Sequence, residues 1–196
     1  IVYEPEELSK YITGMEYLSV KTPLLIEEFI DDAVGIVVTG ISDGQDFMVA
    51  GIMEQIEEAG INSGDSACSL PPYSVGKEIL SKIKELSGLL ARELHISGLI
   101  NIKFAVKQDI IYLIDANPLS CLFIPFLTKA TGIDWTAITC NTILKHKIKK
   151  DRIEPDMPLK YTAIMEAAFS FDRFPGVDAL LGPEVRSTGS VMAVDQ

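Results

Sequence analysis

The sequence has few cations. Lys+Arg number 17 against 28 for Asp+Glu, a formal net charge of -11, and a surface of that sign repels phosphate backbones and anionic lipid heads unless its cations cluster. Neither nucleic acid nor membrane is expected as a partner. The one basic cluster, Lys145-His146-Lys147-Ile148-Lys149-Lys150, reads as a solvated helix end whose cations suit the helix dipole. Cysteine is scarce too. Cys68, Cys121 and Cys140 are odd in number and far apart, with no CxxC pair, which argues against a disulfide framework and against a zinc site. The only histidines, His95 and His146, lack a sequence context linking them to a thiol, so a cysteine nucleophile is not indicated. A reducing cytoplasm is the expected location. No apolar stretch is long enough to span a bilayer, and no charged-then-apolar leader is read at the start. The first residue is Ile1 rather than Met, which leaves open an expressed portion, a processed product or the ordered part of something larger.

What is present is a hydrophobic content of 47% in 196 residues, enough for a sizeable core in one or two domains. Leu24 to Phe29, Val34 to Ile41 and Asp46 to Met53 are apolar, β-branched runs, the last two separated by the turn dipeptide Asp43-Gly44; they read as antiparallel strands. Pro71-Pro72 breaks the chain. Ile79, Ile83, Leu86, Leu90 and Leu94 then recur at helical spacing, one amphipathic helix whose stripe belongs to the core. Leu99 to Val106 and Ile110 to Ala116 flank the polar turn Lys107-Gln108-Asp109 and read as a hairpin. Helices are expected over Leu122 to Ala130 and Trp135 to His146, the second capped by Asp134. Beyond Lys150, prolines at 155, 158, 175 and 183 signal an extended tail with little helix.

The hairpin is the chemical centre. Residues two apart share a face, so Asn101 and Lys103 project to one side of one strand, and Leu113, Asp115 and Asn117 to one side of its partner. A turn at Lys107 to Asp109 lets the odd-numbered positions of both strands meet.

Gly51-Ile52-Met53-Glu54, the segment Gly60-Ile61-Asn62-Ser63-Gly64-Asp65-Ser66-Ala67-Cys68-Ser69-Leu70, Lys129-Ala130-Thr131-Gly132 and the long block from Phe174 through Arg186-Ser187-Thr188-Gly189 together resemble the second, carbamate-phosphorylating ATP-grasp unit of the carbamoyl-phosphate synthase large subunit. The resemblance runs along nearly the whole chain. It implies an α+β ATP-grasp fold, an antiparallel sheet flanked by helices, with residues 1–53 as part of the small subdomain and 54–196 as the C-terminal subdomain. It also implies an upstream subdomain with a glycine-rich phosphate loop that these residues do not contain. The parent would use ATP and Mg (or Mn), alongside the remainder of the large subunit and a glutaminase small subunit, and would feed pyrimidine or arginine synthesis.

Position by position, the resemblance predicts an eroded site. The family's Gln, Glu and Asn ligands read here Lys103, Asp115 and Asn117, leaving Asp115 and Asn117 as metal ligands and Asp115 also as a nucleotide contact. Gly60, Ile61 and Ser63 match a loop whose backbone contacts the nucleotide, although the same glycines and serines also build an ordinary tight turn. Lys103 cannot ligate a cation, since an ammonium has three donors and no acceptor. Two readings follow: Lys103 pairs with Asp115 and stands in for the cation, or it closes a vestigial pocket around the leftover carboxylate. Leu119 and Leu122 replace two arginines that steady the transferring phosphoryl group in the family, and they read as apolar extensions of a core contact. Asn62 and Glu28 stand where histidines are usual, and Gly35 where a glutamate holds the ribose. Arg186 is expected as a clamp between subdomains. No catalytic residue is assigned. ATP and metal binding are expected to be weak or absent in this chain.

Overall fold

The computed structural model describes residues 2, 4–14, 24–118, 122–145, 147–148, 161–174, 176–177 and 179–195. Two compact units divide the chain, residues 1–30 and 31–196. Among the described residues the first holds one helix, α1 (Pro5–Thr13), with Pro5 in its first turn and no buried side chain. Residues 24–30 carry no regular structure, so the strand expected over Leu24 to Phe29 does not form. High β-propensity gives a strand only where a partner supplies the ladder and a face to bury.

The second unit is a seven-stranded antiparallel sheet in the order β5-β4-β1-β2-β3-β6-β7. Its strands are β1 (Val34–Asp43), β2 (Phe47–Glu58), β3 (Cys68–Leu70), β4 (Ser97–Lys107), β5 (Ile110–Asn117), β6 (Thr162–Ala168) and β7 (Gly189–Asp195). The 53/54 division expected from the sequence falls inside the unbroken strand β2. Central β1 is buried along both faces, which is why it reads as a near-continuous apolar run rather than an alternation.

Each face of the sheet packs its own core. On one side Ile36, Val38, Ile100, Ile102 and Phe104 meet Ile83 and Ala91 of α2 (Lys77–Glu93). On the other, Val37, Ile41 and Met53 pack with Phe126 and Leu127 of α3 (Ile124–Thr131) and Trp135 of α4 (Trp135–Ile143). Full burial of side chains this large contributes about 1.5–3 kcal/mol each. Asp134 caps α4 as expected, its carboxylate accepting from the Ala137 N–H at 2.9 Å. Close approach of α3 depends on Gly51, since a Cβ there would lie 2.3 Å from a Leu127 methyl.

The tail beyond residue 160 departs from the expected extended segment. It supplies β6 and β7 to the sheet, with a short 3₁₀ turn at Phe171–Arg173 between them. The basic cluster follows α4, which ends at Ile143; Lys147 donates to Gln45 Oε1 at 2.7 Å. His146, Lys149 and Lys150 lie outside the described residues.

Candidate functional site

The site grows from the β4–β5 hairpin. Its turn has two residues, Gln108 and Asp109, both at positive φ, the type I′ geometry that matches strand twist. A two-residue turn pairs odd with even positions, as in Lys107 with Ile110 and Phe104 with Leu113. A bulge at Ile114 then shifts the register by one, so Lys103 pairs with Asp115 and Asn101 with Asn117. The expected meeting of odd positions therefore holds at the site and fails at the tip: Leu113 falls on the Phe104 side, away from Asp115. Re-aiming side chains beside a site is a common use of a bulge.

Two rows of side chains cross the sheet here. Thr39, Asn101 and Asn117 are in register, and the Thr39 hydroxyl donates to Asn101 Oδ1 at 2.9 Å. Val37, Lys103 and Asp115 form the next row. Lys103 reaches out of its row: its Nζ donates to the Ile61 carbonyl at 2.6 Å. Burial drives its pKa down to about 8, with the Asp115 charge opposing that fall. The lysine thus feels Asp115 through space but gives its hydrogen bond to the loop.

That loop, Gly60 to Ser66, is held by its own protein. The Ile61 N–H donates to Glu58 O at 2.9 Å, and Asn62 N–H to Gly182 O at 2.8 Å. Gly64 N–H goes to Asn62 Oδ1 at 2.9 Å, and Asn62 Nδ2 to Pro183 O at 2.9 Å. Asp65 is buried, and its carboxylate accepts from the Arg186 and Ser187 main-chain N–H groups at 2.7 and 2.8 Å. Ser187 returns a bond from Oγ to Gly64 O at 2.8 Å. Arg186 therefore joins loop to tail through its backbone, while its guanidinium lies 3.5 Å from Glu184.

Loop, hairpin and tail enclose a half-open cavity of about 600 Å³ whose polar lining includes Asn62, Ser63, Asn101, Asp115, Asn117 and Ser187. Among the described residues Asp115 is its one charged lining residue; Lys103 bonds to Ile61 instead. Leu122 also lines it, 54% exposed. Its expected core contact is absent because Phe123, 2% exposed, takes the buried place. Leu119 and Cys121 lie outside the described residues.

Of the sequence-derived positions, Ser63, Asp115 and Asn117 line the cavity, and Ile61 is tied to Lys103. Ser187, Thr188 and Ser190 also line it without having been singled out. For Ser187 and Thr188 the signal was the conspicuous Val185 to Gly189 block; Ser190 had none. At Gly35, a Cβ would lie 2.6 Å from Gln55 Oε1, so the Gln55 side chain fills the space a larger residue would need. Gln55 is 3% exposed, and among the described residues neither of its amide atoms has a hydrogen-bond partner.

The donor set does not fit a divalent cation. Mg²⁺ typically takes one or two carboxylates with waters and substrate phosphates, so Asp115 and Asn117 are a minimal pair, and a tethered ammonium next to them opposes a second cation. Among the described residues no group of three His, Cys, Asp or Glu is placed to hold a metal.

Comparison with known proteins agrees with this geometry. Residues 1–149 match the sequence model described as the carbamoyl-phosphate synthase L chain, ATP binding domain. The carbamoyl phosphate synthase large chain of Archaeoglobus fulgidus is 43% identical over 195 residues, covering 100% of this chain, and that of Vibrio cholerae is 42% identical over 194, covering 99%. The chain spans 18% of the length of each relative. Among solved structures, the biotin carboxylase domain of a single-chain bacterial carboxylase aligns with a TM-score of 0.60 over 85% of this chain and 43% of its own, at 15% identity. The Kluyveromyces lactis urea amidolyase aligns with a TM-score of 0.60 over 71% of this chain and 8% of its own, at 13% identity. Those two likenesses bear on the fold alone. With the family model covering most of the chain and an antiparallel sheet that carries Asp115 and Asn117 on one face, the chain belongs to the carbamoyl-phosphate synthase large-chain ATP-binding family and has its ATP-grasp α+β fold.

Proposed function

We propose that this chain is the carbamate-side ATP-grasp portion of a carbamoyl-phosphate synthase large chain, and that by itself it does not phosphorylate carbamate. The parent would use ATP and Mg (or Mn) to make carbamoyl phosphate. It would act in the cytoplasm with the rest of the large subunit and a glutaminase small subunit. The observation that carries the reading is the Lys103 ammonium, bonded to the Ile61 carbonyl at 2.6 Å and paired across the sheet with Asp115.

The chemical consequence concerns charge. Phosphoryl transfer is catalysed mainly by positioning and by stabilising negative charge on the transferred group. Among the described residues Asp115 is the charged one lining the cavity, and the resemblance puts Leu122 at a position expected to hold an arginine. This chain's residues can hold and orient a polar ligand there, and Phe123 and Leu122 can exclude water from one side. They do not offset polyphosphate charge. A second reading, a non-catalytic ATP-grasp unit with a structural or regulatory role in a synthase-like assembly, is favoured by the same Lys103 bond, because it ties the Gly60 to Ser66 loop to the sheet through the protein's own groups.

Calorimetric titration with Mg-ATP tests the proposal, with binding weaker than millimolar as the expected result. Micromolar binding would overturn it. Reverting Lys103→Gln, Leu119→Arg and Leu122→Arg together in the full-length parent should raise carbamate-dependent ATP turnover, and an unchanged rate would count against lost catalysis at this site.

A further inference from the structure

A second pocket, of about 280 Å³, opens between the 3₁₀ turn and the irregular segment leading into β7. Phe171, Phe174, Val177 and Val185 form its apolar wall. Behind Phe171 lies Phe169, the two rings stacked at 5.2 Å and nearly parallel, so the wall is backed by a second aromatic. Glu184 and Arg186 complete the lining with their charged groups 3.5 Å apart. Ser170 and Thr188 also line the pocket, and their hydroxyls are hydrogen-bonded at 2.8 Å. The pocket shares Val185 and Thr188 with the larger cavity and none of its carboxamides.

Adjacent opposite charges beside an aromatic wall match one ligand class. A free α-amino acid carries a carboxylate and an ammonium on neighbouring atoms with the side chain projecting from between them. Arg186 suits the carboxylate, Glu184 the ammonium, and the phenyl rings an apolar side chain. The resident pair does not prevent this, because Glu184 is 82% exposed and a solvent-exposed ion pair is worth little. We infer that this pocket binds a free hydrophobic α-amino acid, with its zwitterion bridged by Arg186 and Glu184 and its side chain on Phe171 and Phe174. The volume lies near the lower limit for ligand pockets, as a ligand this small requires. The inference does not depend on the reading of the ATP site.

The test uses the whole chain and follows the Val177 and Val185 methyl signals by NMR during titration with L-phenylalanine. Saturable shifts in the millimolar range are expected. Phenylpropanoate, which lacks the ammonium, and phenethylamine, which lacks the carboxylate, should each bind about five- to ten-fold more weakly, as loss of one charge-assisted contact implies. Arg186→Gln and Glu184→Gln should weaken phenylalanine by a similar factor. Arg186→Gln keeps the main-chain bond to Asp65, and slow hydrogen exchange retained at the Ser187 amide, also held by Asp65, will verify that the fold is intact. Absence of saturable shifts would overturn the inference. Equal binding of the three probes, or indifference to both substitutions, would overturn it as well.

Discussion

Lys103 provides a prediction whose sign is unusual. Its pKa lies at about 8 against an ordinary 10.5, so the folded chain releases this proton more readily than the unfolded chain does. Below pH 8 both states hold the proton and the full cost of burying the charge is present. Between the two values only the unfolded chain is protonated, so stability rises with pH; above 10.5 both are neutral and the cost is gone. The shift corresponds to about 3 kcal/mol. Lys103→Met removes the charge and also deprives the Ile61 carbonyl of its donor, a loss of about 1 kcal/mol. The variant should therefore be more stable than the parent sequence by about 2 kcal/mol at neutral pH. The advantage should shrink through pH 8 to 10 and then reverse slightly. Urea unfolding of both proteins across that range measures the difference, and subtraction cancels the other groups that titrate in alkali. A difference that stays flat with pH would refute the argument, because it would mean that the ammonium is solvated and not held at Ile61.

Two further substitutions test how the site is assembled. Asp65→Ala leaves the Arg186 and Ser187 N–H groups without their acceptor; it should cost about 2–4 kcal/mol by denaturant unfolding and speed hydrogen exchange at those two amides. Gly51→Ala drives a Cβ into Leu127 and should cost about 1–3 kcal/mol, part of which Leu127→Ala in the same chain restores, as thermal unfolding of the three variants will show.

Elements with a strong side-chain period were legible in the sequence. Ile79, Ile83, Leu86 and Leu90 placed α2, and the apolar runs of β1, β2, β4 and β5 placed four strands. Backbone irregularity has no comparable signature. A turn at Lys107 to Asp109 was expected to bring odd-numbered positions of both strands to one face; at Lys103 and Asp115 the structure reaches this with a two-residue turn and a compensating bulge at Ile114. Because side-chain direction alternates at every residue, both routes put Lys103 and Asp115 on one face, but a three-residue turn would set Lys103 opposite Leu113 and Asn101 opposite Asp115. β6 and β7 were missed because nearby prolines and glycines outweighed two short runs, Thr162–Ala168 and Gly189–Asp195, that gain strand character only by pairing with β3 and with each other. The run at residues 24–29 erred in the opposite direction, having the composition of a strand and no partner. Part of the site was legible for a chemical reason: Asp115 and Asn117 are oxygen donors two residues apart on one strand of a hairpin, although that strand is an exposed sheet edge and not a buried one as its apolar run suggested. The Ile61 carbonyl as the acceptor for Lys103 was not, since any loop carbonyl can accept and only the fold selects one.

An exchangeable cation and a tethered ammonium differ in more than charge. A metal ion bound by Asp115 and Asn117 would leave with its ligand and return with it, and the loop would be free to close on each occasion. Lys103 stays, and with its 2.6 Å bond the loop is already closed onto the sheet. The Ile61, Asn62 and Gly64 N–H groups are engaged as well, with Glu58, Gly182 and Asn62 as acceptors. A nucleotide phosphate seeking those donors must displace hydrogen bonds already made, each worth about 1 kcal/mol net, and must do so beside a carboxylate that repels it. Lys103→Gln releases the loop from the sheet, while its bonds to residues 182 and 183 keep it folded, but it adds no charge to the cavity. Restoring affinity for polyphosphate therefore requires both release of the loop and new positive charge in the cavity, so Lys103→Gln and Leu122→Arg should each have little effect singly and act together.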